Sequence, residues 1–170
     1  MTQFKELLDK AIRLKKEEQF EPSLEILEDL FKKNPNSKDI KKHLIDVLFD
    51  YGDYLCDEWT CGYDKAIECF KRIIELEPKN YRAWYNLGIA YFNLNQTEEA
   101  LNYYNEALKL KPDYSYCYYN IGLLYEVHNN DLEKALENYD KALSYNDKLI
   151  YARQAKNSVQ QKLDRIKKKE

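Results

Sequence analysis

The sequence predicts an all-α protein, and two observations carry this prediction. Only four glycines and four prolines occur among 170 residues, far fewer than a sheet protein of this length would use for its turns. Apolar side chains also recur at helical spacing, since Trp84, Leu87 and Tyr91 fall on one helical face. Long stretches without helix breakers and a helical period together favour helices over strands.

The second half of the chain repeats itself. The stretch AWYNLGIAYFNLNQTEEALNYYNEALKLKP aligns with CYYNIGLLYEVHNNDLEKALENYDKALSYND. The offset is 34 residues as far as Tyr125 and 35 beyond it, because one residue is added near residues 129–131. Residues 66–78 also match the second half of this unit, and residues 23–35 match it in a weaker form. A fixed period of this length indicates a stack of similar supersecondary units.

Each unit suits two helices that pack against each other. Gly88 and Ala100 are small where two antiparallel helices must approach closely, and Ala107 leaves room for bulky residues of the next unit. Pro112 stops the second helix. A helix pair of this kind leaves one apolar face bare, which only a neighbouring pair can bury.

Residues 81–114 resemble the tetratricopeptide repeat. They match its pattern W-x2-L-G-x2-Y…A-x3-F…P at every position except Tyr104, which replaces Phe. Residues 115–149 are similar with four departures, Tyr118, Ile121, Tyr139 and Asp147. The resemblance implies a right-handed superhelix of about four helix-turn-helix units in a single domain of residues 1–170. The expected units are residues 4–37, 38–80, 81–114 and 115–149.

A final amphipathic helix is expected at about 148–167. It would cap the last repeat, which would otherwise expose its apolar face to water. Its apolar side consists of Ala152, Ala155, Val159, Leu163 and Ile166. Residues 148–170 carry eight Lys and Arg against two Asp and Glu, whereas residues 1–147 carry 19 against 28. An acidic body argues against a nucleic-acid groove, because phosphate neutralisation needs clustered cations.

The sequence contains no arrangement that indicates an enzyme. The two histidines, His43 and His128, have no patterned partner, and no phosphate-binding loop or nucleophile motif occurs. Cys56 and Cys61 have the loose spacing of zinc ligands, but no second ligand pair follows. We therefore expect no catalytic site, no cofactor and no metal.

The beginning of the chain, MTQFKELLDK, is charged and does not resemble a secretory signal. The longest uncharged stretch, YSYCYYNIGLLY, is too short to span a bilayer. Four cysteines without a signal peptide suggest reduced thiols. We expect a cytoplasmic protein with no membrane or nucleic-acid partner.

The resemblance also implies where a partner binds. In this family the second, fifth, sixth and ninth residues of each first helix line a concave groove. Here they are Arg82, Tyr85, Asn86, Ile89, Tyr116, Tyr119, Asn120 and Leu123. Asn86 and Asn120 share a register, and their amides can pair with an extended peptide backbone. Tyrosine offers large contact area at little rotamer entropy. The alternative is that Tyr85 and Tyr119 simply pack against neighbouring helices.

Chaperone-binding members of the family grip an acidic tail with a carboxylate clamp of Lys, Asn and Arg. The corresponding positions here include Leu8, Ile12 and Tyr116, none of which is cationic. The leading hypothesis is therefore a non-catalytic scaffold that binds a peptide or helix of a partner protein, without such a clamp. The alternative is a self-assembling or co-chaperone-like subunit, a homo-oligomer formed through the basic C-terminal helix.

The second unit is nine residues longer than the third, as judged from the spacing of Pro35, Pro78 and Pro112. We expect the surplus between about Asp50 and Gly62, with a helix to about Asp57 and an enlarged turn over residues 58–62. Two registers compete for that helix, one using Leu44, Ile45 and Leu48, the other Leu48, Tyr51, Gly52 and Leu55. The ordinary repeat should restart at Tyr63. Trp59 lies in the expected turn and is a candidate contact for a partner.

Overall fold

A computed structural model describes residues 2–57 and 59–168, and this part of the chain contains helices and no strands. The predicted all-α fold class is confirmed. In chain order the helices are α1 (Thr2–Lys16), α2 (Phe20–Lys33), α3 (Lys38–Leu55), α4 (Tyr63–Leu76), α5 (Tyr81–Asn93), α6 (Thr97–Leu110), α7 (Ser115–Val127), α8 (Leu132–Tyr145) and α9 (Ile150–Lys167). The expected capping helix is α9.

The helices form two compact units, the first ending at Lys79 and the second beginning at Asn80. The single domain and its four repeat boundaries stay predictions. In the first unit, α1 packs on α2, α3 packs on α4, and α2 packs on α3. The buried Ser23 hydroxyl donates to the Ala11 carbonyl oxygen at 2.8 Å, which joins α2 to α1.

In the second unit, α5 pairs with α6, α7 pairs with α8, and α9 packs against α8. The helix α5 begins where the Asn80 side chain accepts a hydrogen bond from the Ala83 N–H at 3.3 Å. Tyr104 and Tyr139 are the two largest side chains that are fully buried in the described part of the chain. Both belong to second helices of their pairs and anchor the core of this unit.

Glycine is required where two paired helices approach most closely. A Cβ atom on Gly88 would stand 2.4 Å from the Tyr104 ring, closer than a Cβ atom can lie to another side chain. The same contact recurs between Gly122 and Tyr139 and between Gly52 and Phe70. Gly52 is therefore the equivalent of Gly88. This equivalence identifies the register of α3 as the one that uses Leu48, Tyr51, Gly52 and Leu55.

The extra residues of the second unit do not lie where the sequence pattern placed them. Gly52 is the fifteenth residue of α3, whereas Gly88 is the eighth residue of α5. Seven of the nine extra residues therefore lengthen the N-terminal part of α3, and the prediction that they fall between Asp50 and Gly62 is wrong. The apolar spacing was misleading because α3 is buried on more than one side. Its residues Ile40, Leu44 and Val47 are as fully buried as Leu48.

The helix α3 ends earlier than predicted, which lengthens the turn that follows it. The helix ends at Leu55, not at about Asp57, because the Gly62 N–H donates to the Leu55 carbonyl oxygen at 2.9 Å and closes the turn. A Cβ atom on Gly62 would lie 2.6 Å from the Leu55 side chain. As predicted, the next helix begins at Tyr63. Glu58, which the expected turn includes, lies outside the described residues.

Candidate peptide-binding groove

The eight predicted groove residues all lie on α5 and α7, two helices of the second unit that contact each other. Arg82 and Tyr116 are exposed to solvent, and the other six are half-buried. The structure therefore places the predicted positions on neighbouring helices, with most of their side chains only partly accessible.

Two of these residues are joined directly across the helices. The Asn120 side-chain amide donates to the Tyr85 hydroxyl oxygen at 3.0 Å. Burial raises the pKa of Tyr85, and the neighbouring Tyr114 adds to this effect. The Asn120 amide also lies beside the buried Tyr104 hydroxyl, whose pKa is raised by burial and lowered by that contact. Asn120 therefore braces α7 against two tyrosines in addition to any contact with a ligand.

Asn86, the second member of the expected asparagine pair, also interacts with other parts of the chain. The two asparagines are thus not a pair of unoccupied amides. A peptide could use the Asn120 carbonyl oxygen and its second N–H, because the amide has two donors and two acceptor positions. The expected ladder of asparagine amides stays a prediction. Each amide keeps only part of its hydrogen-bonding capacity for a peptide.

A cluster of tyrosines surrounds Tyr85, and the sequence pattern did not identify all of them. The ring centroid of Tyr114 lies 5.0 Å from Tyr85, 5.0 Å from Tyr81 and 5.8 Å from Tyr116. Burial raises the pKa of Tyr114 to about 12, with a further contribution from Tyr81. Tyr114 precedes α7 and Tyr81 is the first residue of α5. The available signal was a tyrosine close to the start of the first helix in each of the two repeats.

Tyr119 connects the groove to the capping helix. Its ring centroid is 6.0 Å from that of Tyr139, and it packs against the cluster that includes Leu149 and Ala152. Burial raises the pKa of Tyr119, and the phenol of Tyr151 on α9 adds to the shift. Tyr151 is 67% exposed and was not among the predicted groove residues. The candidate surface thus extends from α5 over α7 to α9.

An ion pair holds α9 on this side of the unit. The Tyr139 hydroxyl donates to one carboxylate oxygen of Glu126 at 2.8 Å, and the Lys162 ammonium donates to the other at 2.7 Å. Burial, and then Glu126, raise the pKa of Tyr139. Glu126 lies on α7 and Lys162 on α9. The network fixes the position of α9 relative to the groove helices.

Trp59, the candidate contact in the first unit, is 93% exposed. Its backbone N–H donates to an Asp57 carboxylate oxygen at 3.0 Å. The N–H groups of Thr60 and Cys61 both donate to the Asp57 carbonyl oxygen at 3.1 Å. Cys61 has a φ of 48°, which places it in the left-handed region. A large indole is therefore presented to solvent from a hydrogen-bonded turn.

Two cysteines near this turn, Cys56 and Cys69, do not carry activated thiols. Burial raises the pKa of Cys56 to about 11 and that of Cys69 to about 12, so both thiols are protonated near neutral pH. Within residues 2–57 and 59–168, no three or more His, Cys, Asp and Glu side chains are grouped to hold a metal ion. No helix in the same ranges has the length and apolar character needed to cross a membrane.

Comparison with known families places these helix pairs in a wider group. Tetratricopeptide repeat models match residues 81–114 and residues 103–137, and a TPR repeat model matches residues 62–95. The chain is a tetratricopeptide repeat protein. Proteins of this family generally mediate protein–protein interactions and bind peptides, and their scaffold is generally non-catalytic.

Among curated proteins, the tetratricopeptide repeat chain is 32% identical over 97 residues to anaphase-promoting complex subunit 3 of Schizosaccharomyces pombe. That match covers 57% of this chain and 14% of the relative's length. Among solved structures, MamA is similar with a TM-score of 0.69 and 23% identity, over 91% of this chain and 84% of MamA. The first TPR of Spaghetti (RPAP3) bound to an HSP90 peptide gives a TM-score of 0.62 at 25% identity, over 71% and 93% of the two chains.

Proposed function

We propose that the second unit binds a segment of a partner protein across α5 and α7, as a non-catalytic interaction scaffold. One observation carries this proposal. The predicted groove residues lie on two contacting helices, and Tyr116 remains 45% exposed beside the Tyr81–Tyr85–Tyr114 cluster. A rigid set of packed tyrosines presents contact area that loses little entropy on binding.

The groove suits an extended segment of a peptide or one face of a helix. Half-buried Ile89 and Leu123 offer apolar contacts, whereas Asn120 and the tyrosine hydroxyls offer hydrogen bonds to peptide groups. Arg82 is the one charged residue among the eight proposed contacts. A mostly neutral partner segment is therefore a better match than a highly charged one.

The peptide bound by the similar RPAP3 domain has the sequence SRMEEVD, which is acidic. The tetratricopeptide chain lacks the cations of a carboxylate clamp, since Leu8, Ile12 and Tyr116 occupy such positions. We infer that its partner is not an acidic chaperone tail. That it works in the cytoplasm, away from nucleic acid and membranes, stays a prediction from its sequence.

Trp59 is proposed as a second contact for the partner, in the first unit. Exposed tryptophan is uncommon on surfaces that bind nothing and frequent among residues that dominate interfaces. The N–H groups of Trp59, Thr60 and Cys61 all donate to Asp57, and backbone that is already hydrogen-bonded loses less entropy when a partner covers the indole.

Self-association through α9 is the second candidate, because Ile150 and Ile166 on this basic helix are exposed. Against it, Lys162 already pairs with Glu126 and Lys156 pairs with Asp140 within the chain. Sedimentation of the intact protein with Arg165 and Lys167 both changed to Glu tests this candidate. An unchanged oligomeric state, with the helical circular dichroism preserved, would remove it.

The main proposal is tested with Tyr116→Ala, which removes an exposed groove side chain, and with the double variant Tyr119→Ala, Asn120→Ala. Partners captured by the wild-type protein are identified by mass spectrometry, and their affinities for each variant are then measured. We expect Tyr116→Ala to weaken binding by about tenfold. A folded Tyr116→Ala protein that binds as tightly as wild type would overturn the groove assignment, whatever the double variant does.

A further inference from the structure

Two exposed tyrosines of the second unit occupy the same position in their helices. Tyr116 and Tyr151 are each the second residue of their helices, α7 and α9. They are 45% and 67% exposed, and Tyr119 lies near Tyr151, as the effect of that phenol on the Tyr119 pKa indicates. The helices α7 and α9 contact each other. Equivalent aromatic side chains are therefore presented from two adjacent helices.

The spacing expected between two helices in contact matches one kind of peptide backbone. Helices that pack against each other have axes about 8–10 Å apart. A polyproline II helix has three residues per turn at about 3.1 Å each, so its turn is about 9 Å long. Side chains three residues apart on such a peptide therefore point to the same side at the spacing of neighbouring helices. An extended β-strand places same-side residues at about 7 Å, which fits less well.

The side chains of the groove suit a ligand that has many hydrogen-bond acceptors and few hydrogen-bond donors. Tyrosine hydroxyls and the Asn120 amide can donate to peptide carbonyl groups. A proline-rich segment keeps its carbonyl groups exposed and has few N–H groups that binding would leave unsatisfied. The contacts on α7 are uncharged, and the nearby Glu126 carboxylate is already paired with Lys162. Flat tyrosine rings also give a proline ring a surface to lie on.

We propose that the groove of the second unit takes a proline-rich segment in the polyproline II conformation, with prolines three residues apart lying on Tyr116 and Tyr151. This inference rests on the proposed function, since it names the class of segment that the groove binds. The segment runs across α7 and α9, and one hydroxyl or amide donor meets a peptide carbonyl at each turn.

Fluorescence anisotropy with labelled peptides and the intact protein tests the inference. The probes are decaproline, an alanine peptide with proline at every third position, and a matched peptide with proline at every fourth position. We expect the first two to bind within about threefold of each other and the third to bind at least about tenfold more weakly, because its prolines rotate away from the tyrosines. Equal binding of all three peptides would overturn the proposed spacing.

Three substitutions assign the binding surface. Tyr116→Ala and Tyr151→Ala should each weaken decaproline binding by about tenfold. Tyr145→Ala is the matched control, because Tyr145 is 51% exposed but lies on α8 and stacks on Tyr118. It should leave the affinity within about twofold of wild type. A loss in Tyr145→Ala equal to that in the other two variants would overturn the assignment to Tyr116 and Tyr151.

Binding of a natural partner distinguishes a failure of this inference from a failure of the proposed function. If no proline peptide binds, while Tyr116→Ala weakens a captured partner, the proline-rich class is overturned and the groove function stands. If Tyr116→Ala changes neither peptide nor partner binding, both are overturned. Helical circular dichroism of each variant confirms that the protein compared is folded.

Discussion

The substitution Gly88→Ala tests whether the close contact between paired helices controls stability. The added Cβ atom would stand 2.4 Å from two carbons of the Tyr104 ring, whereas carbon atoms normally approach to about 3.5–4.0 Å. The ring is fully buried and cannot swing into solvent, so the helices must separate by about 1 Å. Overpacking of this kind costs about 3 kcal/mol, and the better helix propensity of alanine returns about 1 kcal/mol.

The net expectation is a free energy of unfolding lowered by about 2 kcal/mol, which lowers Tm by about 4–8 °C for a chain of this size. Urea denaturation followed by circular dichroism measures the change. Asn105→Ala, at an exposed position of α6, is the control and should lie within about 0.5 kcal/mol of wild type. Repeating Gly88→Ala in a Tyr104→Ala background should remove its cost, because the ring is gone. A Gly88→Ala protein as stable as wild type would refute the reasoning.

Three further predictions follow from single contacts. Ser23→Ala should lower the free energy of unfolding by about 1–2 kcal/mol in urea denaturation, because the Ala11 carbonyl loses a buried donor at 2.8 Å; no loss would show that this bond adds no stability. Trp59→Ala should leave Tm within about 1 °C while weakening a partner that uses the first unit, since the indole is 93% exposed; a large drop in Tm would contradict its exposure. Burial raises the pKa of Tyr114 from 10.0 to about 12, so the unfolded chain loses this proton first and stability should fall as pH rises from about 10 to 12. Urea midpoints measured against pH should fall less steeply in Tyr114→Phe, and an identical slope would rule out this tyrosine as a cause.

The repeat pattern predicted the fold because each marker has a local physical role. Gly88 and Ala100 permit close approach, and Pro112 ends a helix, so their spacing fixes where helices begin and end. The register of α3 was left open because the helix buries apolar residues on several sides and Leu48 belongs to both alternatives. Only the contact between Gly52 and the Phe70 ring distinguishes the two.

Sequence reasoning predicted only part of the candidate groove. A family register gives the positions of Tyr85 and Asn120 on their helices but not the hydrogen bond between them, which depends on how α5 and α7 pack. The contribution of Tyr151 depends on α9 lying beside α7, and the period of the repeat does not extend through that helix. Both features are tertiary, and each changes which side chains remain available to a ligand.

Two departures from the repeat pattern, Tyr104 and Tyr139, connect the hydrophobic core with the candidate groove. Tyr104 and Tyr139 occupy the position where the family has Phe, and each adds a hydroxyl to a fully buried ring. A buried hydroxyl needs a partner. Asn120 lies beside the first hydroxyl, and Glu126 accepts from the second.

Both partners lie on α7, and both act beyond the core. Asn120 also joins Tyr85 of α5, while Glu126 also binds Lys162 of α9. In each of the last two repeats, the tyrosine that replaces phenylalanine is thus linked through a residue of α7 to a neighbouring helix. Tyr139→Phe should then loosen α9 and Tyr151, and amide hydrogen exchange in α9 faster than in wild type would show it. Unchanged exchange there would mean that the apolar contacts of Val159 and Leu163 hold α9 without the hydroxyl.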